Sequence, residues 1–377
     1  MRIAFVSYNF GEYSILHASA LARRAEVGLW MPRELAEPHL GTLDPAVDFR
    51  PFEHPRLRQA VRQLRSVRSI VREIKAFDPD VIHFQHGHMW FNLALPALRH
   101  YPLVITIHDP RSHLGDQASK KTSQRVMDFG YHRADRVIVH ARAMREAVVD
   151  ALNIPAGRID VVPHVAIGES VAAGDSVNED GNLVLFFGRI WEYKGLDYLI
   201  RAEPLISAEV PDARIMIGGR GDDFARYRGM MAHPEKFDVH NEWISYEQRV
   251  EMFQRPAVVV LPYVEATQSG VVPVAYTYSK PVVCTATGGL PEMVDDGVTG
   301  FVVPPRDERA LADAVIKLLK DEPMRHAMGR AGREKLDTEW CPDVVAEQTL
   351  EVYRQTIADR QESFPAVESR DHSPCAS

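Results

Sequence analysis

The stretch Phe186–Leu196, FFGRIWEYKGL, decides how the rest of the chain is read. A β-like apolar run, residues 183–187, leads into Gly188, and a helical pattern begins at Leu196. A strand that turns at a glycine straight into a helix is the repeating unit of a parallel α/β sheet. Arg189 and Lys194, five residues apart, stand around that turn. Cations fixed beside a helix N-terminus add to its orphan N–H groups and dipole, which makes an anion site suited to a diphosphate. Cations near a turn also occur as surface decoration; the sequence on either side selects the anion site.

Downstream, the strand–helix alternation continues. Strands are expected at 213–217, 236–239, 258–261, 281–284 and 301–303, with helices over 196–208, 223–231, 246–254, 308–320 and 323–335. Gly218-Gly219-Arg220-Gly221 follows a strand, where Gly219 would let backbone approach a ligand. Glu265 lies in the loop after the strand ending at Leu261, and Ser269-Gly270-Val271 would offer consecutive N–H groups at a helix start. A further Gly-rich loop carries Gly288-Gly289 and Glu292.

Upstream, the same alternation appears in a first block. Strands are expected at 2–7, 27–30, 81–85, 104–108 and 136–140, with helices over 15–24, 57–77, 90–99, 122–133 and 143–152. Near-continuous apolar strands between helices predict parallel, doubly wound sheets. Residues 165–181 read as a linker. The expected organisation is a first domain over 1–165, a second over 166–341, a helix over 342–362 returning to the first, and a disordered tail over 363–377.

Composition narrows the function. The 377 residues suit two domains, and 45% hydrophobic with 25% charged residues is a globular composition. A net charge of -8 argues against a nucleic-acid binder. Cys284, Cys341 and Cys375 form no CxxC pair, which fits a reducing, cytoplasmic setting. No apolar run reaches the length of a membrane-spanning helix or a signal peptide. Asp78-Pro79-Asp80 has a metal-motif spacing but is better explained as a helix stop, and His83, His86 and His88 read as cleft-lining hydrogen-bonders; no metal is expected.

One helix is double-faced. Leu57, Val61, Leu64, Val71 and Ile74 are expected to face the sheet. Arg58, Arg62, Arg65, Arg68, Arg72 and Lys75 make a basic stripe, either a solvated face or a contact for an anionic membrane surface.

The ordered set GRI…KGLDYLIRA, GGRG, LPYVEATQSG and SKPVVCTATGGLPEMVDDGVTGFVVPP resembles the donor domain of family 4 glycosyltransferases of the GT-B fold. The likeness extends more loosely through FDPDVIHFQHG and VITIHD. It implies two Rossmann-like domains facing across a cleft, and retaining, metal-independent transfer from a nucleotide-diphosphate sugar to a saccharide or lipid-linked acceptor, with no further cofactor. Arg189 and Lys194 match the pair on the donor diphosphate, Glu265 the first carboxylate of a Glu-x7-Glu motif facing the donor sugar, and His108 the histidine at the sugar side of the cleft. The first Gly-rich loop is reduced to Gly11, and Pro273 and Val274 stand where the second glutamate, the ribose holder, is usual. That departure matches an "SG" variant and makes Glu292 the nominated ribose holder. The same architecture would also serve a sugar-nucleotide epimerase or a non-catalytic sugar-nucleotide-binding protein.

Overall fold

The computed structural model describes residues 1–111, 113, 123–168, 179–221 and 224–363. Thr122 and Asp223, expected to open helices, and the linker residues 169–178 lie outside them, as do Cys375 and the tail from 364. Two parallel sheets organise the chain. In the first domain the elements run β1 (Arg2–Ser7), α1 (Gly11–Ala22), β2 (Glu26–Pro32), α2 (Arg33–Ala36), β3 (Asp48–Phe52), α3 (Ala60–Phe77), β4 (Val81–Gln85), α4 (Met89–Ala94), β5 (Leu103–Thr106), α5 (Gln124–Arg133), β6 (Arg136–Val139), α6 (Arg142–Leu152) and β7 (Ile159–Val161). The second domain runs β8 (Asp180–Phe187), α7 (Leu196–Glu209), β9 (Arg214–Gly218), α8 (Phe224–Arg228), β10 (Phe237–His240), α9 (Tyr246–Gln254), β11 (Pro256–Leu261), α10 (Val271–Thr277), β12 (Val282–Thr285), α11 (Leu290–Met293), β13 (Gly300–Val303), α12 (Glu308–Lys320) and α13 (Glu322–Glu339). The last helix is α14 (Pro342–Ser363).

The sheet orders are β3-β2-β1-β4-β5-β6-β7 and β10-β9-β8-β11-β12-β13. Each reverses direction once, between β1 and β4 and between β8 and β11. Crevices form outside the carboxyl ends of strands at such switch points, so the topology assigns one ligand site to each domain. Both faces of each sheet are buried: Val6, Phe84 and Ile105 belong to one face of the first and Ile3, Phe5 and Val104 to the other. Strands covered on both sides need no polar alternation, which is why their sequences are continuously apolar.

Local signals set several boundaries. Ser245 caps α9 in a reciprocal box with Gln248. Asp307 and Asp321 cap α12 and α13. Asp78 ends α3 in the left-handed conformation and accepts from the Tyr101 hydroxyl, while Asp80 accepts from the Arg2 backbone N–H at 2.7 Å. The two aspartates thus tie a helix end to the sheet.

The expected buried face of α3 is wrong by part of a turn. Val67, Ile70, Ile74 and Phe77 meet the sheet, whereas Val61 and Leu64 are 70% and 42% exposed. Gln63 takes an inward position because its amide donates to the Pro55 carbonyl at 2.5 Å. All six cations of the basic stripe are exposed, and among the described residues none has a carboxylate partner. The outer face of α3 and the turn before it is therefore basic with two apolar side chains among the charges. No helix among the described residues is long and apolar enough to cross a membrane.

Helix α14 packs on the first domain. His17 Nε2 lies 3.0 Å from the Thr349 hydroxyl, and His83 Nδ1 2.5 Å from the Tyr353 hydroxyl. Val345, Ala346, Leu350 and Tyr353 join the apolar cluster of Ile3, Phe5 and Leu21. Arg23 and Arg24 both reach Asp343, and Arg360 reaches Asp135.

Candidate active site

The two switch points face each other across a cavity of about 580 Å³. One wall carries Phe10, Gly11, Tyr13, His39, His108 and His164; the other carries Gly188, Arg189, Lys194, Ser269, Gly270 and Val271.

The cations sit where the strand–turn–helix reading puts them. Gly188 leaves β8 at φ 120. Gly219 at φ 141 brings its backbone so close that a Cβ there would lie 2.0 Å from the Gly188 carbonyl oxygen. Gly219 therefore does not line the cavity; it supports from behind the turn that carries Arg189. The Arg189 guanidinium lies 3.9 Å over the Trp191 ring, and the Lys194 ammonium 3.7 Å over Tyr263. Neither has a carboxylate partner among the described residues. Burial, and then the neighbouring Arg189 charge, pulls the Lys194 ammonium down to about 7. A buried cation in no ion pair, lining a cavity and answered only in part by the Asp109 charge, is suited to receive an anion.

Ser269 is partly committed: its hydroxyl pairs with Tyr263 Oη at 3.1 Å and accepts the Val271 N–H at 3.3 Å. Val274 on α10 lines the cavity with an aliphatic side chain. Glu265 stands beside the cavity at the domain junction, 46% exposed, with Oε2 3.8 Å from His113 Nδ1.

Glu292 is elsewhere, which corrects its nomination as ribose holder. Its carboxylate accepts the Arg142 and Ala143 backbone N–H groups, both at 2.8 Å. It caps the start of α6 in the other domain, where the helix dipole favours an anion, and lines a separate surface pocket with Arg142 and Glu146.

His108 follows β5, buried, with Nε2 2.5 Å from the Gln85 amide and Nδ1 without a partner. Burial first, then the surrounding histidines, keep it uncharged: its pKa is well below the usual value. His83, His86 and His88 do not line the cavity as expected. His83 is inside β4 between Tyr353 and Thr106, and His88 stacks on Tyr8 at 3.9 Å. Only His86 approaches the site, its ring edge-on to Phe10.

Two features went unread in the sequence, Glu12 and Trp243; the polar loop of Asp109, Arg111 and His113 reads from the sequence as suited to hydroxyl-rich ligands, and the structure adds its pairing with Thr267. Glu12 receives Arg249 across the cleft at 2.8 and 3.1 Å, and also the Gly168 N–H at 2.7 Å. Asp109 accepts from the Thr267 hydroxyl, and its oxygen lies 3.1 Å from His113 Nε2; although burial opposes it, these bonds hold the carboxyl down to about 2. Trp243, 81% exposed, stands at the cavity rim. The Glu12 pair joins different domains and Trp243 sits on an exposed loop, where no local pattern marks either.

The two halves of the chain match different family models: "Glycosyltransferase Family 4" over residues 12–165 and "Glycosyl transferases group 1" over 172–335. The D-inositol 3-phosphate glycosyltransferase of Kineococcus radiotolerans is 30% identical over 320 residues, covering 73% of this chain and 72% of that protein. This chain is a family 4 glycosyltransferase. The enzyme of the same description from Mycolicibacterium smegmatis is 27% identical over 331 residues, 80% of this chain and 74% of that one. Sucrose-phosphate synthase of Thermosynechococcus elongatus superposes with TM-score 0.70 at 21% identity, covering 95% of this chain and 100% of that chain. Anabaena HepE, solved in complex with UDP, gives TM-score 0.70 at 18% identity, covering 94% and 100%. These superpositions show the GT-B fold.

Proposed function

We propose that this glycosyltransferase moves a sugar from a nucleoside-diphosphate sugar to an acceptor hydroxyl with retention of configuration, at the cytoplasmic side of polysaccharide or glycolipid synthesis. The observation that carries the reading is the pair of cations, Arg189 and Lys194, which are in no ion pair among the described residues and face His108 across the cavity. The bond from the anomeric carbon to the diphosphate oxygen breaks, and the acceptor oxygen bonds to the same face. The acceptor proton passes to the departing phosphate oxygen. Negative charge gathers on the diphosphate as that bond lengthens, and fixed cations there lower the barrier. His108, held neutral, would hydrogen-bond the sugar through its unpartnered nitrogen, and Glu265 would face the donor sugar from the junction. Support comes from HepE, whose solved complexes contain UDP and UDP-glucose.

The test is transfer of labelled sugar by the purified protein across UDP-, GDP- and ADP-sugars, read by product mass. An epimerised donor would favour the epimerase, and binding without turnover a non-catalytic protein. Turnover is expected to survive EDTA, since side-chain cations stand where a metal would otherwise neutralise the diphosphate. Loss with EDTA, restored by manganese, contradicts this.

The exposed basic face of α3, with Val61 and Leu64 among its cations, supports a peripheral contact with anionic membrane, where a lipid-linked acceptor would lie. Arg62, Arg65 and Arg72 changed together to Glu should abolish sedimentation with anionic liposomes while leaving the melting temperature in place. Wild-type protein that never sediments at low salt would leave this face as solvated surface.

A further inference from the structure

The first domain's switch point holds two non-glycine residues in the left-handed conformation: Phe10 (φ 59), after β1, and His86 (φ 58), after β4. Such conformations are sparsely populated, and strain of this kind collects at functional sites. Phenylalanine has no short polar side chain to offset it, as Asn or Asp would.

The conformation places an aromatic ring in the cavity. The Phe10 ring stacks on His108, centroids 4.0 Å apart and planes 23° from parallel, with His86 edge-on at 5.9 Å. His108 is buried beneath it, while Phe10 itself is 37% exposed. A flat apolar surface, backed by a buried ring, lies opposite Arg189 and Lys194.

The charge on this wall also selects a ligand. Burial holds His108 and His164 in the uncharged form, and lowers the pKa of His39. Asp109 is a carboxylate. Glu12 is satisfied by the two terminal nitrogens of Arg249, a second-domain residue whose Nε alone is left without a partner. Arg111 is bound to Asp128 and the Ala151 carbonyl, away from the cavity. Among the described residues, no lysine or arginine of the first domain lines the cavity, and His113 there is turned to Asp109 at 3.1 Å.

We infer that the acceptor presents an uncharged ring, a saccharide or cyclitol carrying no phosphate at the reacting end, whose C–H face stacks on Phe10. The inference rests on the glycosyl-transfer reading and assigns its acceptor class. It sets this chain apart from relatives whose names specify a phosphorylated inositol. Phe10 acts as a specificity residue: an aromatic face accepts the apolar side of a pyranose or cyclitol, and burying a phosphate there would leave its charge unpaired.

The test is ring binding by the full chain, measured with and without UDP by saturation-transfer NMR. Neutral probes are methyl α-D-glucopyranoside, methyl α-D-mannopyranoside and myo-inositol; the charged ones are glucose 6-phosphate and myo-inositol 3-phosphate. At least one neutral ring should bind through its C–H protons, with the phosphorylated probes about tenfold weaker or worse. Phe10→Gly and Phe10→Leu should each weaken the neutral ring about fivefold or more, with UDP binding unchanged. Phe10→Gly should also keep or raise the melting temperature, because glycine relieves the left-handed backbone. The inference is overturned by phosphorylated probes binding as well as neutral ones, by unchanged ring affinity in both variants, by loss of UDP rather than ring affinity, or by binding of no neutral probe. If ring binding depends on Phe10 while no nucleotide sugar is bound or consumed, the inference stands as a ring site and the transfer reading fails instead.

Discussion

Arg189→Ala and Lys194→Ala are each expected to lower turnover about 10²-fold or more, the scale for losing one preorganised contact to developing charge. Neither residue pairs with a carboxylate among the described residues, so neither substitution strands a partner. Folding should change little, and near-normal rates in both variants would remove the diphosphate assignment. Lys194 adds a pH signature. Burial, then Arg189, lowers its pKa from 10.5 to about 7, so the empty enzyme loses this ammonium as pH rises through that value. A donor diphosphate needs the proton. Donor affinity should therefore fall above about pH 7, by up to about tenfold per unit, until the pKa of the complex is reached. Stability runs the other way. The unfolded chain keeps its lysine proton up to 10.5, so between the two values it binds more protons and the fold gains stability as pH rises. Below about 7 the cost of the buried charge is carried in full. Titrations of UDP affinity and of melting temperature with opposite slopes over this window check both signs, and Lys194→Arg should flatten both, because guanidinium stays charged. Parallel slopes would mean that Lys194 is not the titrating group.

The second large effect is expected at a residue with no side chain in the cavity. Gly219→Ala would place a methyl 2.0 Å from the Gly188 carbonyl oxygen, in a backbone conformation at φ 141 that alanine avoids. Backbone faces backbone there, so no side chain can swing aside. The expected cost is about 3 kcal/mol or more, a fall of roughly 6–12 °C in melting temperature for a domain of this size. UDP affinity should fall with it, since the displaced segment is the turn bearing Arg189. Gly297→Ala is the control. It also has positive φ, but open space around the added methyl, so it should carry only the conformational cost of about 1 kcal/mol. Equal effects at the two positions would show that the close approach contributes nothing.

The sheets were legible because their central strands are buried on both faces and read as short apolar runs. The edge strands of the first sheet were not, although β10 and β13, the edges of the second, were expected within a residue of where they lie. β3 is Asp-Phe-Arg-Pro-Phe and β7 is Ile-Asp-Val, and an edge tolerates both the proline and the charges that hide a strand from its sequence. The phase of α3 was misread because a polar residue, Gln63, takes the inward position in its first turn through its bond to Pro55, which leaves Val61 and Leu64 on the outer face. In the site, Gly188, Arg189 and Lys194 were legible because strand, turn and helix lie within about a dozen residues of each other. Glu292 was not, since its partners are N–H groups 149 and 150 positions away in another domain. Phe10 escaped notice for a different reason: a left-handed residue is usually announced by glycine or asparagine, and a phenylalanine there is visible only in the backbone angles.

The return of α14 to the first domain bears on the order in which a ribosome could complete this molecule. Ile3, Phe5 and Val104 emerge early, yet part of their cover, Val345, Leu350 and Tyr353, is among the last of the described residues to be translated. The imidazoles of His17 and His83 wait the same interval for Thr349 and Tyr353. Domains ordinarily fold as they leave the tunnel, the first one first. Here the second domain, residues 180–339, has its own strands and helices in hand before the first is sealed. The nascent chain thus carries an unfinished apolar face until residues 345–353 have been made, and the first domain is sealed after the elements of the second are in hand.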